Sequence, residues 1–190
     1  MDNVTFNIRK AEIADAAEIA KVHVDSWKTT YDNIVPNEYL ASLSYESREQ
    51  MWTNAIPHGD MYVAENNSGQ IVGFAKGGKE RSGNYKGYDG ELYAIYILQE
   101  YQGIGMGKAL VKSIIEDLVD IGIHSMLVLV LEDNNSRKFY ESLGGRKIDT
   151  VAVEIGGKKF SELVYGWKNI EGTCARNIHD NSINLNKNSL

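Results

Sequence analysis

Three glycines at alternate positions, Gly103, Gly105 and Gly107, stand between an apolar run, Glu91 to Leu98, and a helical pattern, Ala109 to Ile121. A β-branched and aromatic run, a glycine turn and an amphipathic segment make a strand–loop–helix unit. The first amides of a helix have no partner inside it, and the helix dipole adds roughly half a positive charge there. Such a turn suits a phosphate group. Two familiar phosphate loops fail the test. A dinucleotide fingerprint needs a third glycine where Lys108 stands, and a Walker loop needs Ser or Thr where Ala109 stands.

What does fit is Gln102-x-x-Gly105-x-Gly107. It resembles the acetyl-CoA pyrophosphate loop (Q/R-x-x-G-x-G/A) of the GNAT family of N-acetyltransferases. A second stretch follows the central helical pattern: Asn134-Asn135-Ser136-Arg137-Lys138-Phe139-Tyr140-Glu141-Ser142-Leu143-Gly144-Gly145. It looks like the second GNAT motif, N-x-A/S-x-x-F/Y-Y-E-x-L-G-F/G. Asn135 stands where proline is frequent and Gly145 where many members carry Phe; neither change touches a group the chemistry needs.

The resemblance implies transfer of an acetyl group from acetyl-CoA to an amine, by direct transfer in a ternary complex. An amine of pKa near 10 must lose a proton before it attacks, the thioester oxygen needs a donor, and the leaving thiolate needs a proton. Glu91 lies 11 residues before Gln102, where histone-type members carry a general-base glutamate. On a regular strand it shares a face with Tyr93, Ile95 and Ile97, an apolar setting that raises a carboxyl pKa. Asp89 and Glu100 are other acids for the same task, and a solvated glutamate at a strand end is the plain structural reading. Tyr140 is the general acid by its place in the second motif; a tyrosine on an amphipathic helix is the structural reading. Asn134 is a cofactor contact in the family and equally a helix N-cap.

The resemblance also implies that main-chain groups of Ile95, Tyr96 and Ile97 bind the pantetheine arm like an added strand. Gln102, Gly103, Ile104, Gly105, Met106, Gly107 and Lys108 would hold the pyrophosphate through backbone amides, with Lys108 adding a screened charge. Trp27, Tyr31 and Tyr93 are candidates for lining the acceptor site, since aromatic rings suit cationic amines. Aromatics at helical spacing serve a core as readily.

The elements that position these residues follow from periodicity. Val4 to Arg9 alternates like a strand, and Ala11 to Lys28 has helical spacing. Short helices follow after Pro36 and through Met51 and Trp52, stopping before Pro57. Met61 to Glu65 and Ile71 to Lys76 form a hairpin about Asn66 to Gln70, and Gly77 to Gly90 reads as a mobile loop or frayed strand ends. Ser125 to Leu131 is a buried strand; Lys147 to Ile155 and Lys159 to Trp167 flank a Gly156-Gly157 turn. The expected fold is α+β, the GNAT fold: a mostly antiparallel twisted sheet of about 6–7 strands flanked by about 4 helices, with one parallel crossover. Residues 1–168 are expected to form this single domain and 169–190 a polar tail that packs loosely.

The bulk numbers agree with an ordinary globular chain. The 190 residues suffice for one core, with 43% hydrophobic and 24% charged residues. A net charge of −6 argues against nucleic acid or anionic membrane as partner. One cysteine, Cys174, allows no internal disulfide and no thiolate metal cluster, and its place in the tail argues against a covalent acyl-enzyme. The four histidines have no metal-ligand spacing, so no metal is expected. The start has no signal-like apolar segment, and no apolar run approaches the ~18 residues of a membrane span, so a cytoplasmic location is expected. A small-molecule amine is the expected acceptor, its identity not readable. The late hairpin offers an edge for a homodimer. Rival functions are a catalytically silent acyl-CoA-binding sensor or partner module, a nucleotide-binding module, and an acetyltransferase of protein N-termini or lysines.

Overall fold

The computed structural model describes residues 5–173. Seven strands form one open sheet in the order β1-β2-β3-β4-β5-β7-β6. They are β1 (Phe6–Lys10), β2 (Asp60–Asn66), β3 (Ile71–Lys79), β4 (Gly90–Ile97), β5 (Met126–Leu131), β6 (Arg146–Ile155) and β7 (Lys158–Trp167). The helices are α1 (Ala16–Thr30), α2 (Asn37–Ser42), α3 (Tyr45–Ala55), α4 (Met106–Asp120) and α5 (Arg137–Ser142). All neighbouring strands are antiparallel except β4 and β5, which α4 connects as a parallel crossover. The α+β expectation holds, with one helix more than expected.

The sheet is covered on both faces, and β3 shows why. Val72 and Ala75 pack with Leu110, Ile114 and Leu118 of α4, while Ile71 and Phe74 pack with Ile19, Ala20 and Trp52 of α1 and α3. The partners on each face are three apart because β3 bulges at Val72, where Ala64 faces Gly73 and Glu65 faces Ile71, and with that offset the one strand serves two cores. Each fully buried chain such as Phe74, Ile19 or Leu110 contributes roughly 1.5–3 kcal/mol through burial. A third cluster, Tyr31, Val35, Leu40 and Leu131, seats the end of α1 and α2 against the β6–β7 hairpin.

Three local differences from the sequence expectation matter. The strand β3 runs on through Gly77 and Gly78, leaving only 80–89 as the loop before β4. The late hairpin spends one edge inside its own sheet, because β7 pairs along all of β5 and leaves β6 as the outer strand. The first tail residues do not hang free: Ile170 is fully buried in the α4-side core, and its amide donates to the His124 carbonyl at 3.0 Å. Val4, Cys174 and the rest of the tail lie outside the described residues.

Candidate active site

The strands β4 and β5 pair only at Gly90↔Met126 and Glu91↔Leu127. Beyond that point they part, and the gap opens a cleft of about 960 Å³. Its walls are the outer half of β4, the end of β5, the last turns of α1, the start of α4 and α5. Parted strands leave main-chain groups without a neighbour on that side, which is what an extended ligand arm needs. Ile95, Tyr96 and Ile97 all border the gap.

The strand β4 is not regular, and this corrects one expectation. Its pairing with β3 shifts register between Lys76 and Gly77, so that Leu92 faces Gly77 while Ala94 faces Lys76 and Tyr93 is the extra residue. Across this bulge the alternation slips by one. Leu92, Ile95 and Ile97 all pack on the α4 side, and Ala94 and Tyr96 on the α1 side. Glu91, opposite to Leu92, therefore does not share a face with Ile95 and Ile97.

Nor is Glu91 set in an apolar wall. It is only 6% exposed, and Arg81 of the preceding loop grips it: the Arg81 Nη2 donates to one oxygen at 2.6 Å, and its Nε and backbone amide donate to the other at 3.2 and 3.1 Å. The pairing lifts the Arg81 guanidinium further above its usual range. The same guanidinium lies 4.0 Å over the Tyr93 ring, whose hydroxyl donates to the Lys79 carbonyl. Arg81, Glu91 and Tyr93 form one polar stack at the closed end of the gap.

At the other end stands the glycine loop. Gly103 (φ 77°) and Gly105 (φ 90°) both take the left-handed conformation that side chains resist. They turn the chain so that α4 begins at Met106, and its first turn-closing bond runs from the Ala109 amide to the Gly105 carbonyl at 3.1 Å. The amides from Gly103 to Lys108 donate to no backbone carbonyl among the described residues. Gly103, Gly105, Gly107 and Lys108 line the cleft; Met106 is buried in the core and Ile104 is exposed. The Gln102 side chain reaches back instead, its Nε2 donating to the Ile97 carbonyl at 3.0 Å. It fixes the loop to the strand.

Between the two ends lies a group of phenols. Tyr140 is buried beside Phe139, Tyr165 and Trp167, and burial pushes its hydroxyl well above the usual range, with the nearby Tyr31 and Tyr96 adding to the shift. Burial raises Tyr31 in the same way. Asn134 ties this group to the turn before α5: its Nδ2 donates to the Tyr31 hydroxyl at 3.2 Å and its Oδ1 accepts from the Ser136 amide at 2.8 Å. The Trp27 ring packs on Tyr31 at 4.4 Å, and both line the cleft as well as the third core cluster. Tyr96 stacks flat on His23 at 4.9 Å.

The profile described as FR47-like protein matches residues 72–153, which span the parted strands, the glycine loop and α5. The uncharacterized N-acetyltransferase YuaI of Bacillus subtilis strain 168 is 42% identical over 163 residues, covering 86% of this chain and 93% of that protein. The chain belongs to the GNAT family of N-acetyltransferases. The L-methionine sulfoximine/L-methionine sulfone acetyltransferase of Pseudomonas aeruginosa PAO1 is 24% identical over 175 residues, 90% of this chain and 98% of that protein. Among solved structures, the PaiA N-acetyltransferase of Thermoplasma acidophilum, crystallised with coenzyme A, superposes with a TM-score of 0.69 at 24% identity over 84% of this chain and 98% of that one.

For a GNAT chain the expected residues are brought together: Glu91, Tyr93, Ile95 to Ile97, Gln102 to Lys108, Asn134, Tyr140, Trp27 and Tyr31 all border one cleft, apart from the buried Met106 and the exposed Ile104. Among the cleft residues that the sequence did not single out are Arg81, Ser26 and Glu162. Arg81 sits in a stretch with no periodicity, so only its nearness in sequence to Glu91 hinted at the pair. Ser26 and Glu162 look like ordinary polar positions on a helix and an alternating strand, and only tertiary packing turns them inward.

Proposed function

We propose that the cleft transfers the acetyl group of acetyl-CoA directly to a primary amine of a small molecule. The observation that carries this reading is the continuity of the gap: free helix-start amides at one end, an unpaired strand edge along its length and a buried phenol beside it. The amides of Gly103 to Lys108 suit the pyrophosphate, helped by the screened charge of Lys108. The freed edge of Ile95 to Ile97 suits the pantetheine amides, and one of its N–H groups polarises the acetyl carbonyl. The Tyr140 hydroxyl, kept protonated by burial, donates its proton to the departing thiolate.

Glu91, expected from its sequence position to handle the amine proton, meets a condition the structure adds. Its carboxylate is engaged by Arg81 on both oxygens, so it must let go of a charge-assisted bond before it takes a proton. The aromatic walls at Trp27, Tyr31 and Tyr93 favour a cationic acceptor. The small-molecule acceptor is supported by the Pseudomonas relative, whose named substrates are amino-acid derivatives.

The test is thiol release from acetyl-CoA with a panel of primary amines. Tyr140→Phe is expected to lower kcat by about 10²-fold or more with little change in acetyl-CoA affinity. Unchanged kcat in that variant would remove Tyr140 from the chemistry.

A further inference from the structure

Two carboxylates line the cleft, and they are in opposite situations. Glu91 is held by Arg81. Glu162 of β7 has no cation and no hydrogen-bond donor on its carboxylate among the described residues, and burial alone pushes its carboxyl up. Its position follows from the ladder. Glu162 faces Leu131 in β5 and Val151 in β6, so it stands where β5 has swung farthest from β4. Leu131 packs with Tyr31 and Val35, whereas the next residue, Leu163, lies in the α4-side core. The Glu162 side chain therefore projects to the α1 side of the gap, near the phenols.

The titratable groups facing it are Tyr31 from the end of α1, Tyr96 of β4 and Tyr85 from the loop before β4, each of which its charge raises. Tyr85 is bonded to Asp149 of β6. Two buried polar atoms of residues lining the same cleft are also without a partner among the described residues: Ser26 Oγ and Trp27 Nε1. The Trp27 N–H is close to the Tyr96 hydroxyl but lacks hydrogen-bond geometry. Leaving a buried donor unpaired is costly, roughly 1–3 kcal/mol. A free carboxylate, two unmet polar atoms and an aromatic wall on one side of one cleft are a site for a polar, cationic ligand.

We propose that Glu162 is the carboxylate that anchors the ammonium group of the acceptor amine and takes its first proton. The inference rests on the transferase reading above. The step balances as follows. R–NH3⁺ gives a proton to the Glu162 carboxylate, which becomes the neutral acid. The amine lone pair forms the C–N bond to the thioester carbon, and the C=O pair moves to oxygen. Collapse restores C=O and breaks C–S. The thiolate takes the Tyr140 proton, and the phenolate is reprotonated by the second nitrogen proton. Glu162 then returns its proton to solvent.

The experiment compares wild type, Glu162→Gln and Glu91→Gln. Thiol release from acetyl-CoA is followed with phenethylamine, spermidine, methionine and methionine amide across pH, and acetyl-CoA affinity is measured by calorimetry. For Glu162→Gln the expected result is a fall in kcat/KM of about 10²-fold or more, loss of the acidic limb of the pH profile, and an acetyl-CoA Kd within about twofold of wild type. Glu91→Gln is expected to keep that limb. An acidic limb that survives in Glu162→Gln, or vanishes in Glu91→Gln instead, overturns the assignment of Glu162 while leaving the transferase reading intact. A wild-type protein that binds acetyl-CoA but acetylates none of the amines overturns both.

Discussion

Replacing His23 by Gln removes a titrating group from the buried aromatic cluster between α1, α3 and the sheet without removing its hydrogen bond. His23 is 7% exposed on α1, stacked on Tyr96 and packed against Trp52 and Phe74. Its Nδ1 accepts from Trp52 Nε1 at 3.1 Å, which places the proton of the neutral ring on Nε2. Burial, with a smaller push from Arg48, lowers its pKa to about 3. An unfolded histidine titrates near 6.5. The folded pKa lies below the unfolded one, so between them the unfolded chain binds a proton that the folded chain refuses. Stability is full above about 6.5 and falls as the pH drops toward 3. From about pH 7 to about pH 5 the unfolded partition grows about 25-fold, a loss of about 2 kcal/mol from this one residue. For a chain of this size that is a fall of roughly 4–8 °C in Tm. Urea and thermal melts of wild type and His23→Gln at both pH values supply the double difference, in which the other histidines cancel. Identical pH dependence in the two proteins would refute the buried neutral imidazole.

Three further outcomes follow from the same structure. Gly105→Ala puts a side chain at φ 90°, and the open loop relaxes by re-aiming the amides at the start of α4; the acetyl-CoA Kd from calorimetry should rise about tenfold, or ~1.4 kcal/mol, and an unchanged Kd would take those amides out of the binding site. Gly145→Ala sets its new Cβ 2.6 Å from the Trp167 ring and 2.9 Å from the Tyr140 carbonyl, so overpacking should cost about 1–3 kcal/mol and appear in a thermal melt. Arg81→Ala leaves Glu91 buried without its cation, so the melt should shift down by an amount that Glu91→Gln in the same chain largely restores; additive losses would contradict the pairing.

The glycine loop and the α5 motif were legible because both are local: a turn, a helix start and a run of types at fixed spacing carry their geometry within a dozen residues. Gly145, which stands where the motif it resembles often has Phe, is explained from farther along the chain. Trp167 lies against it and its indole donates to the Leu143 carbonyl at 3.0 Å, so an aromatic ring fills the site from another strand. The misses are all partner-dependent. The bulge at Tyr93 is an offset between two strands, invisible in either one alone. Gly77 and Gly78 read as loop or frayed strand ends because glycine is a poor strand former, yet they are paired strand residues, and Ile114 of α4 and Tyr93 approach the backbone there so closely that a Cβ would collide. Glu162 alternates as a solvent-facing strand residue should, and faces a cleft only because β4 and β5 separate. Ile170 follows a polar stretch and gives no periodic signal before it docks.

The most direct test of the central claim is a thermal melt of the whole chain with saturating acetyl-CoA, NAD or ATP. At about a hundred times Kd a ligand of the folded state contributes ~2.7 kcal/mol, or roughly 5–11 °C here. Stabilisation by acetyl-CoA and not by NAD or ATP is the predicted result. No shift with acetyl-CoA would contradict the assignment of the glycine loop and the parted strands as an acetyl-CoA site.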